Sequence, residues 1–561
     1  MEKTDMTQKK DTDKITVQFR NVLRKYPKNT RIMDIAEDFR DSFPSRIVLS
    51  KVDGRVAELT STLSKDARVE FLTIQDNAGA ITYMRSLVFM MIKAFHDTAP
   101  EVVGKVYVDF NVSNGLYCHV KGLDISDYII ERVKERMTEL VKEDIPFEKK
   151  SIKTSEAIKI FEHQDMHEKA RLFHYRRASM TNVYTLDGYQ DYFYAYMVPS
   201  TGYLDQFELF AYEDGFILQR PQSSAPDRIK PYNPQPKLFE TMKRSASWHD
   251  TLGTSTVGQL NDLVVNGGAN DLILLQEALM EKQIGDIAYE IDALDKKFVL
   301  IAGPSSSGKT SFSNRLAVQL HALGRHLTPI ACDNYFIDRD KYPKDKYGNV
   351  DFESIDCVDI DRLNEDLLAL AAGEEVETPV FNFFSGKREP VGKKIRIPKE
   401  DIIVLEGIHC LNDRLTYDLP SQDKYKIYIS ALTPMNIDEH NNISTSDCRL
   451  LRRICRDHAT RGYSAKDTIS RWQSVRSGEE KNIFPYQECA DVMVNSALVY
   501  ESAVLKPFAE PLLFSVPEGC PEYIEAKRLL KFLDYFLTIP SECIPKNSLM
   551  REFIGGSLFD V

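Results

Sequence analysis

Eight consecutive residues, Gly303-Pro304-Ser305-Ser306-Ser307-Gly308-Lys309-Thr310, have the types and spacing to hold a phosphate chain. The pattern is Gly, four residues, then Gly-Lys-Thr. Glycine permits backbone angles and close approach that a side chain would block. Successive N–H groups from Ser305 to Ser311 then point into one concavity and, with the helix N-terminus behind them, surround phosphate oxygens. Lys309 reaches for the β- and γ-phosphates, and the Thr310 hydroxyl is placed for Mg²⁺. The flanking residues supply the required context. Phe298-Val299-Leu300-Ile301-Ala302 reads as a short buried strand entering the loop, and Phe312, Leu316, Leu320 and Leu323 recur at helical spacing until Gly324. The chemistry implied is binding of a nucleoside triphosphate.

Three more groups suit phosphoryl transfer. Asp333-Asn334-Tyr335-Phe336 follows the next predicted strand, where an acid projects into the crevice at the carboxyl ends of a parallel sheet. Asp333 could accept a hydroxyl proton or help hold the metal; an Asp capping a turn is the plainer reading. Ile402-Ile403-Val404-Leu405-Glu406-Gly407 ends a buried strand on a carboxylate, where a Mg²⁺ ligand is needed. Arg449, Arg452, Arg453 and Arg456 fall on one helix face, with Arg461 shortly after. Like charges at that spacing repel, so the cluster predicts a neutralising anion, and polyphosphate is the expected one.

The elements that must position these residues alternate. Buried strands are predicted at 298–302, 327–332, 402–405, 425–430, 491–495 and 512–516, with helices at 361–372 and 446–460 between them. Alternation of this kind predicts an α/β region with a mostly parallel sheet. Upstream, 219–237 carries five prolines and reads as a linker or extended arm. Helices at 238–252 and 271–294, parted by a turn at Asn266-Gly267-Gly268, bridge it to the strand at Phe298. The first 14 residues read as a loose polar leader. A small α+β module is expected over 15–80, with alternating strands near Val17 and Phe19 and at 46–50, and a helix at 32–39. Longer helices follow at 83–95 and 125–142, and the aromatic 189–218 stretch reads as antiparallel sheet.

On these residues the segment from Phe298 to about Ser496 resembles the uridine kinase and phosphoribulokinase family. The matching pieces are the loop at 303–310, Asp333 to Tyr335, Asp351-Phe352-Glu353-Ser354-Ile355-Asp356, Pro379-Val380-Phe381-Asn382-Phe383, Leu405-Glu406-Gly407-Ile408, and Asp447 through Gly462. The resemblance implies a P-loop kinase domain over 296–561, using ATP and Mg²⁺. Asp333 would be the general base, with Lys309 and Arg453 as its catalytic partners. Thr310, Asp333 and Glu406 would surround Mg²⁺, and Arg453, Arg456 and Arg461 would belong to a lid over the phosphates. The acceptor would meet Asp333, Tyr335, Glu353, Phe381, Arg388, Arg453 and Tyr463. Acceptor-pocket positions depart from the uridine kinase pattern: an expected Asp is Glu353, a Tyr-Asp pair is Phe381-Asn382, and an Arg is Tyr463.

The amino-terminal half resembles the start of threonyl-tRNA synthetases. Residues 51–59 and 66–72 match their β-grasp (TGS) module, and 81–218 their second additional domain. The metal-binding His and Cys pairs of that editing domain fall on Arg85, Phe89, Phe193 and Met197, so editing chemistry is not expected. His163 and His167 are expected to share a helix face and, with His174, invite a metal reading, a solvated helix face being the plainer one; Tyr189 to Tyr196 reads as sheet core.

A net charge of −12 over 561 residues argues against general affinity for nucleic acid or anionic membrane. Nine scattered cysteines without a C-x-x-C pair suit a reducing cytoplasm. No apolar run is expected to reach membrane-spanning length. The expected function is phosphoryl transfer from ATP to a nucleoside hydroxyl. A phosphoribulokinase-like sugar-phosphate kinase, or an ATP-binding regulator whose synthetase-like modules contact RNA or tRNA, are the alternatives.

Overall fold

The computed structural model describes residues 14–123, 125–343, 354–382 and 385–559. Its carboxyl-terminal part is built on five parallel strands in the order Leu327–Ala331, Ile402–Glu406, Phe298–Ala302, Lys424–Ser430 and Val492–Asn495. Every residue of the central strand Phe298–Ala302 is buried. That is why it reads as a continuous apolar run and not as an alternating one. The helix Lys309–Ala322 follows it and buries Phe312, Leu316 and Leu320. Strand ends of this sheet therefore converge on the phosphate loop, with Glu406 closing the adjacent strand and Asp333 following the strand beyond it.

One sequence expectation fails here. Residues 512–516 form no strand; they end the helix Glu501–Phe514, which contains Pro507 and Pro511. The short apolar run at 512–516 fits a buried strand by pattern, and two prolines disfavour a helix there. Tertiary burial of Val504, Leu505, Ala509 and Leu513 holds the helix regardless of the lost backbone donors.

The helix Ala269–Ala293 packs along the phosphate-loop helix. Arg315, almost fully buried, donates to Glu277 and Glu281 from across that contact. Another helix, Val257–Val265, stands before it, in a stretch for which no helix is expected, and ends where the turn Asn266-Gly267-Gly268 begins. Residues 220–235 contain no helix or strand, and Tyr232 of this arm packs edge-on against Phe210 and Tyr212.

The amino-terminal part begins with a five-stranded sheet and the helix Ile32–Glu37. The helix Asn77–Thr98 is then long and apolar enough to cross a membrane by length and composition, contrary to expectation, and 78% of its apolar window is buried inside the fold. It is the core helix around which two further sheets pack. Strand Tyr189–Asp191 pairs with Met180–Leu186, whereas Glu208–Tyr212 and Gly215–Gln219 form a hairpin in a different sheet, so 189–218 is not one continuous meander. His163 ends the helix Thr154–His163 and His167 starts the helix His167–Phe173; the two histidines do not share a helix face.

The two parts share buried contacts. A hairpin at Asn436–Asp438 and Asn441–Asn442, immediately before the arginine-rich helix, inserts into the amino-terminal part. Both oxygens of the Glu439 carboxylate accept backbone N–H groups, from Glu168 at 2.6 Å and Lys169 at 3.0 Å. Lys169, Asp191, Asp438 and His440 meet nearby, each at most 1% exposed. Charges buried this deeply must be paired, and this cluster ties the two parts together.

Candidate active site

The phosphate loop leaves the buried strand Phe298–Ala302 and turns beneath its neighbours. A Cβ on Gly303 would lie 2.0 Å from the Ile429 carbonyl oxygen, so only glycine fits there. Gly308 has φ +85°, and its added Cβ would meet Leu549 at 2.7 Å. Ser306 adopts φ 59°, the left-handed conformation that curls the backbone into a cradle. The Ser306 and Ser307 hydroxyls are buried without a hydrogen-bond partner among the described residues.

Lys309 folds back across this cradle. Its Nζ donates to the carbonyls of Gly303 at 2.9 Å and Pro304 at 3.2 Å. Burial pulls its ammonium below the ordinary lysine value, against the opposing pull of Glu406 and Glu552. A polyanion seated beside it would raise it again. The Thr310 hydroxyl donates to Glu406 Oε1 at 3.0 Å, joining the loop to the end of strand Ile402–Glu406. Burial raises the Glu406 carboxyl, opposed by Lys309 and the Thr310 hydrogen bond. Asp333 sits in the 3-10 turn Cys332–Tyr335; it is solvent-accessible, yet the protein around it raises its carboxyl above the ordinary value, with Lys309 opposing.

These groups fit the two partners that the sequence implies. Glycines where a Cβ would clash, unpaired loop hydroxyls and a lysine turned into the cradle suit a polyphosphate. Among the described residues no cluster of three or more His, Cys, Asp or Glu could hold a metal by itself. A hydroxyl with one or two carboxylates is the hard oxygen set with which Mg²⁺ binds alongside phosphate and water.

The arginine helix Thr445–Arg461 divides in a way its spacing concealed. Arg449 and Arg452 are 2% and 0% exposed and do not await phosphate. Arg449 forks onto Glu479 with two 2.6 Å bonds, and Arg452 pairs with Glu501. Protein carboxylates are the anion there. Arg453 turns to the loop and donates to Ser305 Oγ at 2.7 Å. Arg453, Arg456 and Arg461 also share Asp457, at 3.1, 3.0 and 3.3 Å.

Four acids in this assembly carried no sequence signal. Glu479, besides Arg449, accepts the Ser305 backbone N–H at 2.9 Å and so fixes the loop from the helix Ala465–Asn482. Asp457 and Glu501 are the second and third. Glu552, the fourth, lies on the last helix, Arg551–Ile554; it accepts from Ser311 Oγ at 2.8 Å and faces Arg456 at 3.8 Å.

The acceptor-side residues are more occupied than expected. Tyr335 is fully buried and its hydroxyl donates to Asp366 at 3.0 Å. Phe381 is buried with its ring edge-on to Phe336. Arg388 donates to the Phe336 and Tyr335 carbonyls and to Asp359, which makes it a staple of the crevice wall. Tyr463 is 37% exposed, with the Arg471 guanidinium 4.5 Å from its ring centre. Glu353 lies outside the described residues.

A parallel sheet with a Gly-x₄-Gly-Lys-Thr turn at its centre, an acid after each of the two strands on one side of it and arginines over the loop defines a P-loop phosphotransferase. Residues 298–501 match the Phosphoribulokinase / Uridine kinase family, and the carboxyl-terminal region of this chain is a kinase domain of that family. A uridine kinase of Staphylococcus aureus (strain JH9) is 29% identical over 195 residues, spanning 35% of this chain and 84% of that protein. The uridine kinase of strain Newman matches to the same extent. Among solved structures, the possible uridine kinase from Bacillus stearothermophilus has 15% identity and a TM-score of 0.26, covering 38% of this chain and 98% of that one. D-glycerate 3-kinase from Cryptococcus neoformans var. grubii has 13% identity and a TM-score of 0.28, covering 37% and 89%.

Proposed function

We propose that this chain is a cytoplasmic Mg²⁺- and ATP-dependent kinase that phosphorylates a hydroxyl of a nucleoside. The observation that carries the reading is the Thr310–Glu406 hydrogen bond at 3.0 Å. It ties the residue after the loop lysine to the acid at the neighbouring strand end, with Lys309 close enough to favour the ionised form of both Asp333 and Glu406. ATP with Mg²⁺ supplies the transferable phosphoryl group. Thr310, Glu406 and Asp333 would hold the metal, and the loop amides beyond Ser305, whose own N–H is taken by Glu479, would hold the phosphates.

Asp333 orients the acceptor hydroxyl and takes its proton as the new O–P bond to the γ-phosphorus forms and the bond from that phosphorus to the bridging oxygen of ADP breaks, releasing ADP. A carboxyl raised above its usual value is the better proton acceptor, provided it is still ionised at the working pH. Arg453, beside Ser305, neutralises charge developing on the phosphate oxygens. Catalysis of this kind is positioning and charge neutralisation. Among the acceptor-side residues named, Tyr463 is open to solvent and so available to a substrate, while Tyr335, Phe381 and Arg388 shape the crevice. The nucleoside reading draws on the uridine kinase relatives.

The test is a screen of purified protein against nucleosides and sugar phosphates, reading ADP release. A nucleoside that accelerates ADP formation, with Asp333→Asn removing the acceleration but not ATP binding, is the expected result. Acceleration by a sugar phosphate alone moves the acceptor to the phosphoribulokinase branch. ADP release that no acceptor changes defeats the kinase reading.

A further inference from the structure

We propose that a second, separate anion site lies between the amino-terminal part and the helix Tyr523–Leu533, built to take a phosphate group carried on a small molecule. A cavity of about 290 Å³ is lined there by Arg176, Thr181, Asn182, Tyr192, Phe193 and Lys531, among others. That volume is at the small end of ligand pockets, about 300–1,000 Å³. Two of its lining residues are cations and none is an acid.

The cations are not neutralised by the protein. Among the described residues neither Arg176 nor Lys531 is ion-paired with a carboxylate. Arg176 spends its NH1 on the Tyr192 hydroxyl at 2.9 Å and the Tyr535 hydroxyl at 3.3 Å, and its buried Nε has no partner. Lys531 donates to the Tyr194 carbonyl at 2.8 Å and has two further donors. Thr181, 4% exposed, lines the same cavity with an unpartnered hydroxyl. Arg85 stands behind the wall, stacked 3.8 Å over the Tyr194 ring, with its buried NH1 also lacking an acceptor. Buried donors left without acceptors are rare in proteins and mark where one is missing.

Charge sets the ligand class. Lys531 is partly open to solvent, yet the protein packed around it, with Arg176, Arg85 and Lys149, pushes its ammonium down to about 8, so cationic repulsion is already felt there. A dianion matches the two lining cations; a monocarboxylate leaves one uncompensated. Arginine forks and lysine together are the usual phosphate pair. The location also links the site to the kinase. Arg528, on the same helix as Lys531, holds Asp447 of the arginine helix with bonds of 2.6 and 2.7 Å.

The test uses full-length Lys309→Ala protein, which disables the phosphate loop, titrated calorimetrically with inorganic phosphate, glycerol 3-phosphate and acetate. Saturable binding of phosphate or its ester, and none of acetate, is expected. The tighter of the two shows whether the free ion or an esterified group is preferred. Adding Lys531→Met, or Asn182→Asp at an exposed position on the cavity wall, should weaken that binding at least about tenfold, the scale of one charge-assisted hydrogen bond. Asn182→Asp changes no buried group, so it keeps the test open if Lys531→Met misfolds. No saturable heat with either phosphate, equal affinity for acetate, or affinity unmoved by Asn182→Asp overturns the proposal.

Discussion

Replacing Glu479 separates the two jobs of the arginine helix. The Glu479 carboxylate is 3% exposed and receives two 2.6 Å bonds from Arg449, one of 3.2 Å from Arg476 and the Ser305 N–H at 2.9 Å. Glu479→Gln turns an amide N–H toward a guanidinium that is itself 2% exposed. Removing one member of a buried pair costs about 3–5 kcal/mol because the other charge stays behind. That is a large share of a typical stability of about 5–15 kcal/mol. Denaturant unfolding of Glu479→Gln, Arg449→Met and the double variant closes the cycle. The double variant should recover most of the loss, since neutralising both partners leaves no stranded charge. Single variants within about 0.5 kcal/mol of the parent, or losses that simply add, would refute the claim that Arg449 is held by protein carboxylate and not reserved for phosphate. Arg453→Met should behave oppositely. Its partners are Ser305 Oγ and the shared Asp457, so unfolding should change little while kcat/KM falls about 10–100-fold, the worth of one charge-assisted contact made to the transferring group.

Asp333→Asn should lower transfer by about 10²–10⁴-fold while nucleotide binding persists, measured by single-turnover transfer beside calorimetry. Because the Asp333 carboxyl is raised, the acid limb of the parent's kcat/KM profile should lie above the ordinary aspartate range, activity falling as pH drops through it. A limb at the ordinary value would argue against Asp333 as the base. Stability has its own pH window. Burial lowers His249 from 6.5 to about 4, so the folded state binds fewer protons than the unfolded one between those values. Its contribution is complete above pH 6.5 and lost as pH falls toward 4, about 3 kcal/mol at most. Thermal melts of His249→Gln should show a shallower acid decline; an unchanged slope assigns it elsewhere.

The catalytic sheet was legible in the chain because its strands are buried on both faces. Phe298–Ala302 and Ile402–Glu406 announce themselves as apolar runs, and Gly-x₄-Gly-Lys-Thr has few other uses. What was hidden depends on contacts made far along the chain. Arg449, Arg452, Arg453 and Arg456 share a helix face by spacing, but spacing says nothing of Glu479 and Glu501, which arrive 30 and 49 residues later. Glu552 lies 241 residues beyond its partner Ser311, on a four-residue helix without any motif. Helix Glu501–Phe514 was misread because Pro507 and Pro511 break local propensity while burial overrides it. His163 and His167 have helical spacing, but the chain leaves the helix between them.

Calorimetric titration of the full chain with Mg²⁺·ATP tests the central claim most directly, run on the parent and on Lys309→Ala. The parent should bind at one site, and Lys309→Ala, still folded by its melting transition, should bind at least about tenfold more weakly for want of the loop ammonium. Binding of equal strength in both proteins, or no heat in either, would contradict a phosphate-gripping loop at 303–310.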